Sequence, residues 1–189
     1  MKGIVFNLLE GVVTAQFGED AWDDMLDATT ASGAYTAIGN YPEAEFLALL
    51  EVTPDAVGAT AQERLRWFGR SAMPALAQRY AVFFAPHPGT RSFLMTLNDI
   101  IHPEVRTLYP GADVPVFDVF EGPTGGLSSL TLGYRSPRRL CWLAEGFILG
   151  AADHFGQAVT VEQLACMHDG AESCLLACTF AEVDARGVD

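Results

Sequence analysis

Leu127-Ser128-Ser129-Leu130-Thr131-Leu132-Gly133-Tyr134-Arg135-Ser136-Pro137-Arg138 is the stretch that decides the fold class. Over residues 127–134 apolar side chains alternate with small or polar ones, which puts Leu130, Leu132 and Tyr134 on one face of a strand. The period of two is absent upstream of Pro110-Gly111. There Ile4, Val5, Leu8, Leu9, Val12, Val13 and Phe17 recur at helical spacing, with Gly18 as a stop. Trp22, Met25 and Leu26 mark a second helix. Tyr41-Pro42 opens a third, with Phe46, Leu47, Leu49 and Leu50 on its buried side. Thr60-Ala61-Gln62-Glu63 has capping-box spacing, and Pro74 is expected to break or restart the helix that follows. Residues 90–101 read as another helix, ended by His102-Pro103.

Beyond Pro110 the pattern predicts strands at 116–121, 127–134, 159–167 and 173–180, interrupted by a helix over 140–155. His168-Asp169-Gly170 forms the turn of the last hairpin. A helical first half joined to antiparallel strands is an α+β chain. One domain is expected over residues 1–183, with a helical N-terminal subdomain over about 1–60 and a frayed tail at 184–189.

Composition narrows the function classes. A formal net charge of −13 argues against nucleic acid, whose phosphates need a basic footprint. No run approaches the length of a membrane span, and Asn7 and Glu10 interrupt the apolar start, so neither a membrane segment nor a signal peptide is expected. Four cysteines in the last quarter of the chain suit free thiols or a metal site in the cytoplasm better than a secreted disulfide scaffold. None has the surroundings of an activated nucleophile, so an enzyme is not expected.

Two constellations carry chemistry. His102 lies four residues after Asn98 and eight after Leu94, on the helix side that packs inward. A neutral imidazole there can bind a metal through one ring nitrogen while the other meets an acceptor; alternatively, it satisfies the last carbonyls of a helix. Tyr134, Ser136 and Arg138 alternate, so in an extended segment all three point the same way. Arg138 can grip a carboxylate through two parallel hydrogen bonds, and Tyr134 and Ser136 add neutral donors of different reach. The plainer reading is a strand exit with a surface arginine.

The opening Met1-Lys2-Gly3-Ile4-Val5, the Phe17-Gly18-Glu19-Asp20-Ala21-Trp22 stretch, His102-Pro103 and the Tyr134-x-Ser136-x-Arg138 motif resemble those of the haem nitric oxide/oxygen-binding (H-NOX) domains. These are bacterial relatives of the sensor domain of soluble guanylate cyclase. The resemblance continues to the C-terminal cysteine hairpin and covers essentially the whole chain. It implies a haem b buried between the helical and strand-bearing parts, with His102 on the iron and Tyr134, Ser136 and Arg138 on the propionates. Pro115 matches the proline that presses on the haem face. Relatives that bind oxygen stably carry a distal tyrosine nine residues after the motif tyrosine, and Leu143 stands there, so NO and CO are the expected ligands and O2 is not. The implied function is NO sensing: NO breaks the iron–His102 bond, and the changed conformation regulates a separate histidine kinase or cyclic-di-GMP enzyme. No output domain is expected to be fused to the sensor.

Some members hold structural zinc with three cysteines and a histidine. Cys141, Cys166 and Cys174 match those cysteines, Gln163 stands at the histidine position, and His168 is the candidate replacement. A cluster of buried free thiols is the alternative, and a thiol or zinc redox sensor is the rival function.

Overall fold

Helical periodicity governs the first half of the chain in the computed structural model, which describes residues 1–122 and 128–181. The expectations for Leu127 and for the tail at 184–189 lie outside the described residues. Helix α1 (Gly3–Phe17) buries Phe6, Leu9, Val12 and Val13 and stops at Gly18, whose φ is 94°. Helices α2 (Glu19–Asp27) and α3 (Glu43–Glu51) add Trp22, Met25, Phe46, Leu49 and Leu50 to the same apolar cluster. Gly3 is required where α1 begins, because a Cβ there would collide with the Thr36 carbonyl.

Helix α4 (Ala61–Arg79) starts on the expected capping box: the Glu63 amide donates to Thr60 Oγ1 at 3.2 Å, and the Thr60 amide donates to Glu63 Oε2 at 3.0 Å. Pro74 does not break this helix, contrary to expectation. A proline forfeits one hydrogen bond to the carbonyl four residues back. Here the buried face carrying Phe68, Ala72, Met73 and Ala77 continues on both sides of it. The short helices α5 (Ala81–Phe84) and α6 (Thr90–Leu94) follow.

The second departure lies at His102-Pro103. A π-helical turn (Leu97–Ile101) precedes helix α7 (His102–Leu108), so His102 opens a helix instead of ending one. Pro103 cannot donate backward, and it sits in the first turn of a new helix, where a missing N–H costs little. The ladder resets through the wider turn, in which the Ile101 amide donates to the Thr96 carbonyl at 3.0 Å.

Strands β1 (Val116–Glu121), β2 (Ser129–Arg135), β3 (Val159–Ala165) and β4 (Cys174–Phe180) form one antiparallel sheet in the order β1-β2-β4-β3. Being interior, β2 is buried on both faces up to Tyr134. Tyr134 pairs with Phe117 on one side and Cys174 on the other, and this register brings the motif, the His102 side and the cysteines together.

Helix α8 (Cys141–His154) is the wall between two apolar clusters. One gathers α1–α4 with Leu140 and Leu143; the other gathers the sheet with Met73, Phe84, Phe93, Ala144 and Ile148. Helices α4 and α8 approach closely at glycines: a Cβ on Gly69 would lie 2.6 Å from the Leu143 carbonyl oxygen. Arg66 clamps the same interface, donating to both Glu145 oxygens at 2.7 and 2.9 Å. The architecture is α+β.

Candidate functional site

A cavity of about 330 Å³ opens where α1, α4, α7, α8 and the sheet meet. Its walls are mainly apolar, with Ile4, Val5, Leu8, Leu76, Phe83, Leu97, Leu143 and Ile148 among them. His102, Pro115, Tyr134, Ser136, Arg138 and Leu143, all picked out in the sequence, line this one cavity.

The His102 ring packs 5.8 Å from that of Phe117, and its Nδ1 is buried without a hydrogen-bond partner. Burial lowers its pKa to about 4, helped by the charge of Arg106, while an interaction with the Pro115 backbone pulls the other way. The imidazole is therefore neutral at physiological pH with a ring nitrogen unused by the protein.

At the other end the chain leaves extended structure after Arg135. Residues 137–138 turn, and Arg139 adopts a φ of 52°. Tyr134 thus reaches the cavity from the end of β2, and Ser136 and Arg138 from the turn that follows, not all three from one continuous strand as alternation had suggested. The turn is held locally: Tyr134 Oη accepts from the Leu140 amide at 3.0 Å, and Ser136 Oγ accepts from the Arg138 amide at 3.3 Å. Burial pushes the Tyr134 phenol up to about 12, so it stays protonated. Arg138 Nε lies 3.2 Å from Glu43 and 3.5 Å from Asp113. The guanidinium is thus already positioned among carboxylates at the cavity rim, with 26% of its side chain exposed.

The residues fit a haem. The apolar slot suits the ring, the unused ring nitrogen of His102 suits iron, and the Tyr134–Arg138 turn suits the propionates. No sequence pattern points to Glu43, Asp113 or Asn98 at the site; the Asn98 side-chain oxygen accepts from the Phe117 amide at 3.1 Å. Their partners are distant in the chain, and no local pattern encodes them.

Cys141, Cys166 and Cys174 converge as expected, with Cys166 Sγ 3.9 Å from each of the other two. All three are buried free thiols, and burial raises the pKa of Cys141 to about 12 and that of Cys174 in the same direction. His168 does not join them. Its ring stacks on Trp142 at 4.3 Å, and its Nε2 meets the Arg139 carbonyl at 2.8 Å. The amide nitrogen of Gln163 is buried without a hydrogen-bond partner, beside the Cys141 thiol. Cys178 lies apart, buried beside the Leu176 carbonyl. Among the described residues no helix is long and apolar enough to cross a membrane.

A family model described as haem-NO-binding matches residues 2–163. None of the curated proteins matches the chain. Among solved structures, an H-NOX protein from Shewanella oneidensis in the Fe(II)NO state is 32% identical, with a TM-score of 0.86 over 96% of this chain and 100% of that one. The NMR structure of an H-NOX domain from the same organism in the Fe(II)CO state gives 0.84 at 32% identity, over 96% and 99% of the two chains. An unliganded Fe(II) H-NOX protein from K. algicida, 26% identical, gives 0.79 over 96% and 97%. This chain belongs to the haem-NO-binding (H-NOX) family of haem-based gas-sensing domains.

Proposed function

We propose that the protein is a haem-based nitric oxide sensor that signals to a separate protein, with His102 as the iron ligand. The observation that carries this reading is the neutral, half-buried His102 ring with an unused nitrogen, in the wall of an apolar cavity whose rim holds Tyr134, Ser136 and Arg138. Bound haem b supplies a ferrous iron able to take a diatomic gas, and the protein supplies everything that decides which gas and with what consequence.

His102 would hold the iron of a bound haem and so join it to α7, and the Pro115 backbone lies beside the imidazole. Arg138 would meet a propionate with charge-assisted hydrogen bonds, and Tyr134 and Ser136 would add neutral ones. Leu143 presents only carbon to the cavity, so it offers no donor to a polar oxygen adduct, and the protein favours NO and CO. Release of His102 from a bound haem would free α7 from one constraint. That biases the helical part against the sheet-bearing part, a two-state change read by a partner such as a histidine kinase or cyclic-di-GMP enzyme. The buried thiols, with pKa values raised by burial, suit structural packing better than reactivity.

The test is the ferrous spectrum of the reconstituted protein. A Soret band that shifts with NO and with CO, and an iron–imidazole Raman band lost on NO addition and absent from His102→Gly, are expected. A protein that takes up no haem overturns the reading.

A further inference from the structure

Helix α7 carries His102, yet none of its residues is buried, and Leu108 is 45% exposed. Apolar packing alone therefore holds it weakly. Polar contacts at both ends hold it instead. On the N-terminal side, in the π-helical turn, Asn98 exchanges two hydrogen bonds with the backbone of Phe117 in β1. On the C-terminal side, Tyr109 is 7% exposed and its hydroxyl bonds that of Tyr80 at the end of α4; Arg79 Nε donates to the Tyr80 oxygen at 3.1 Å. Lys2 Nζ reaches the Pro110 carbonyl, one residue on, at 2.6 Å.

His102, Val105 and Tyr109 lie three and four residues apart, so they share one helix face, and all three line the cavity. The two ends of α7 are thus fastened to different bodies: Asn98 to the sheet, Tyr109 to the long helix of the helical half. We propose that the Tyr80–Tyr109 phenol pair is the brace by which α4 holds the C-terminal end of α7, making both tyrosines positioning residues for His102. The positioning of His102 for iron rests on the haem reading above; the brace itself does not.

The pair predicts its own signature. Tyr80→Phe and Tyr109→Phe each keep the ring and lose the bond between the two hydroxyls; Tyr80→Phe also loses the Arg79 contact. Hydrogen exchange of the amides at 106–109 in the haem-loaded protein should rise about two- to tenfold in either variant. The double variant should rise no further than Tyr80→Phe alone, whereas two independent ring contacts would multiply. Lys2→Met, which removes a separate fastening, should add to either. In the same samples the iron–imidazole Raman band should shift or broaden in both single variants. Unchanged exchange in either single variant, a multiplicative double variant, or an unmoved Raman band overturns the proposal. If the parent protein takes up no haem, the sensor reading fails while the exchange comparison, made on the haem-free chain, still decides the brace.

Discussion

Two demands coincide at His102: partial burial keeps its ring neutral, and neutrality is what a metal requires. The same fact makes the haem-free protein sensitive to acid. The folded pKa is about 4 against 6.5 for an ordinary histidine, so between these values the unfolded chain binds a proton that the folded chain refuses. Stability should be intact above about pH 6.5 and fall progressively toward pH 4, by up to about 3 kcal/mol. Urea melts of haem-free protein at pH 7 and pH 4.5 check this, and His102→Phe should flatten the difference. His102→Gly should lose haem, or keep it only with added imidazole; normal haem content and an unaltered ferrous spectrum would count against the ligand. Arg138→Ala removes a charge-assisted contact, so haem transfer to apomyoglobin should speed up about tenfold or more. At Leu143 the expectation is negative: the ferrous protein in air should form no long-lived oxygen complex, whereas Leu143→Tyr should gain some oxygen affinity.

Among the elements, the α4–α8 contact decides how the cavity is walled. Gly69, Gly146 and Gly150 let the two backbones approach until a Cβ has no room. Gly146→Ala would drive a methyl into the Arg66 carbonyl and also disturb the Arg66–Glu145 pair beside it. A loss of about 1–3 kcal/mol is expected, read as a lower thermal midpoint. The capping box at the start of α4 is a milder case. Thr60→Ala should cost about 1 kcal/mol, without altering the haem spectrum, since Thr60 lies far along the helix from the cavity-lining Met73 and Leu76.

In the whole molecule, the cavity lies where two apolar clusters meet, with α8 as their common wall. A change on one wall therefore has two packed bodies to act between. Under the sensor reading, NO and not CO should release His102 from its hold on the bound haem. Hydrogen exchange in α1 and α3 should then respond to NO and not to CO, and the activity of a partner kinase should follow the same order. Equal responses to both gases, with the iron–imidazole band present in each, would refute tether release as the signal.

Local chemistry determined much of this in the sequence alone. Apolar spacing marks α1 to α4, the Thr60–Glu63 box marks a start, and alternation marks β2, because each depends on residues within a turn or a strand pairing. The Tyr134-x-Ser136-x-Arg138 motif and His102 were legible for the same reason: few residue types suit their chemistry. What only the tertiary structure decided are the cases where a distant neighbour overrides a local rule. Pro74 stays helical because the buried face of α4 continues past it, and Pro103 begins a helix because the π-helical turn before it resets the ladder. His168, two residues from Cys166, turns away to stack on Trp142, so proximity in sequence did not make it a partner of the thiols. Glu43 and Asp113 at Arg138, Asn98 at Phe117 and Tyr80 at Tyr109 are likewise invisible in the chain. Each pairs groups that folding alone brings together, since a hydrogen bond's partner is set by position in space and not by spacing along the backbone.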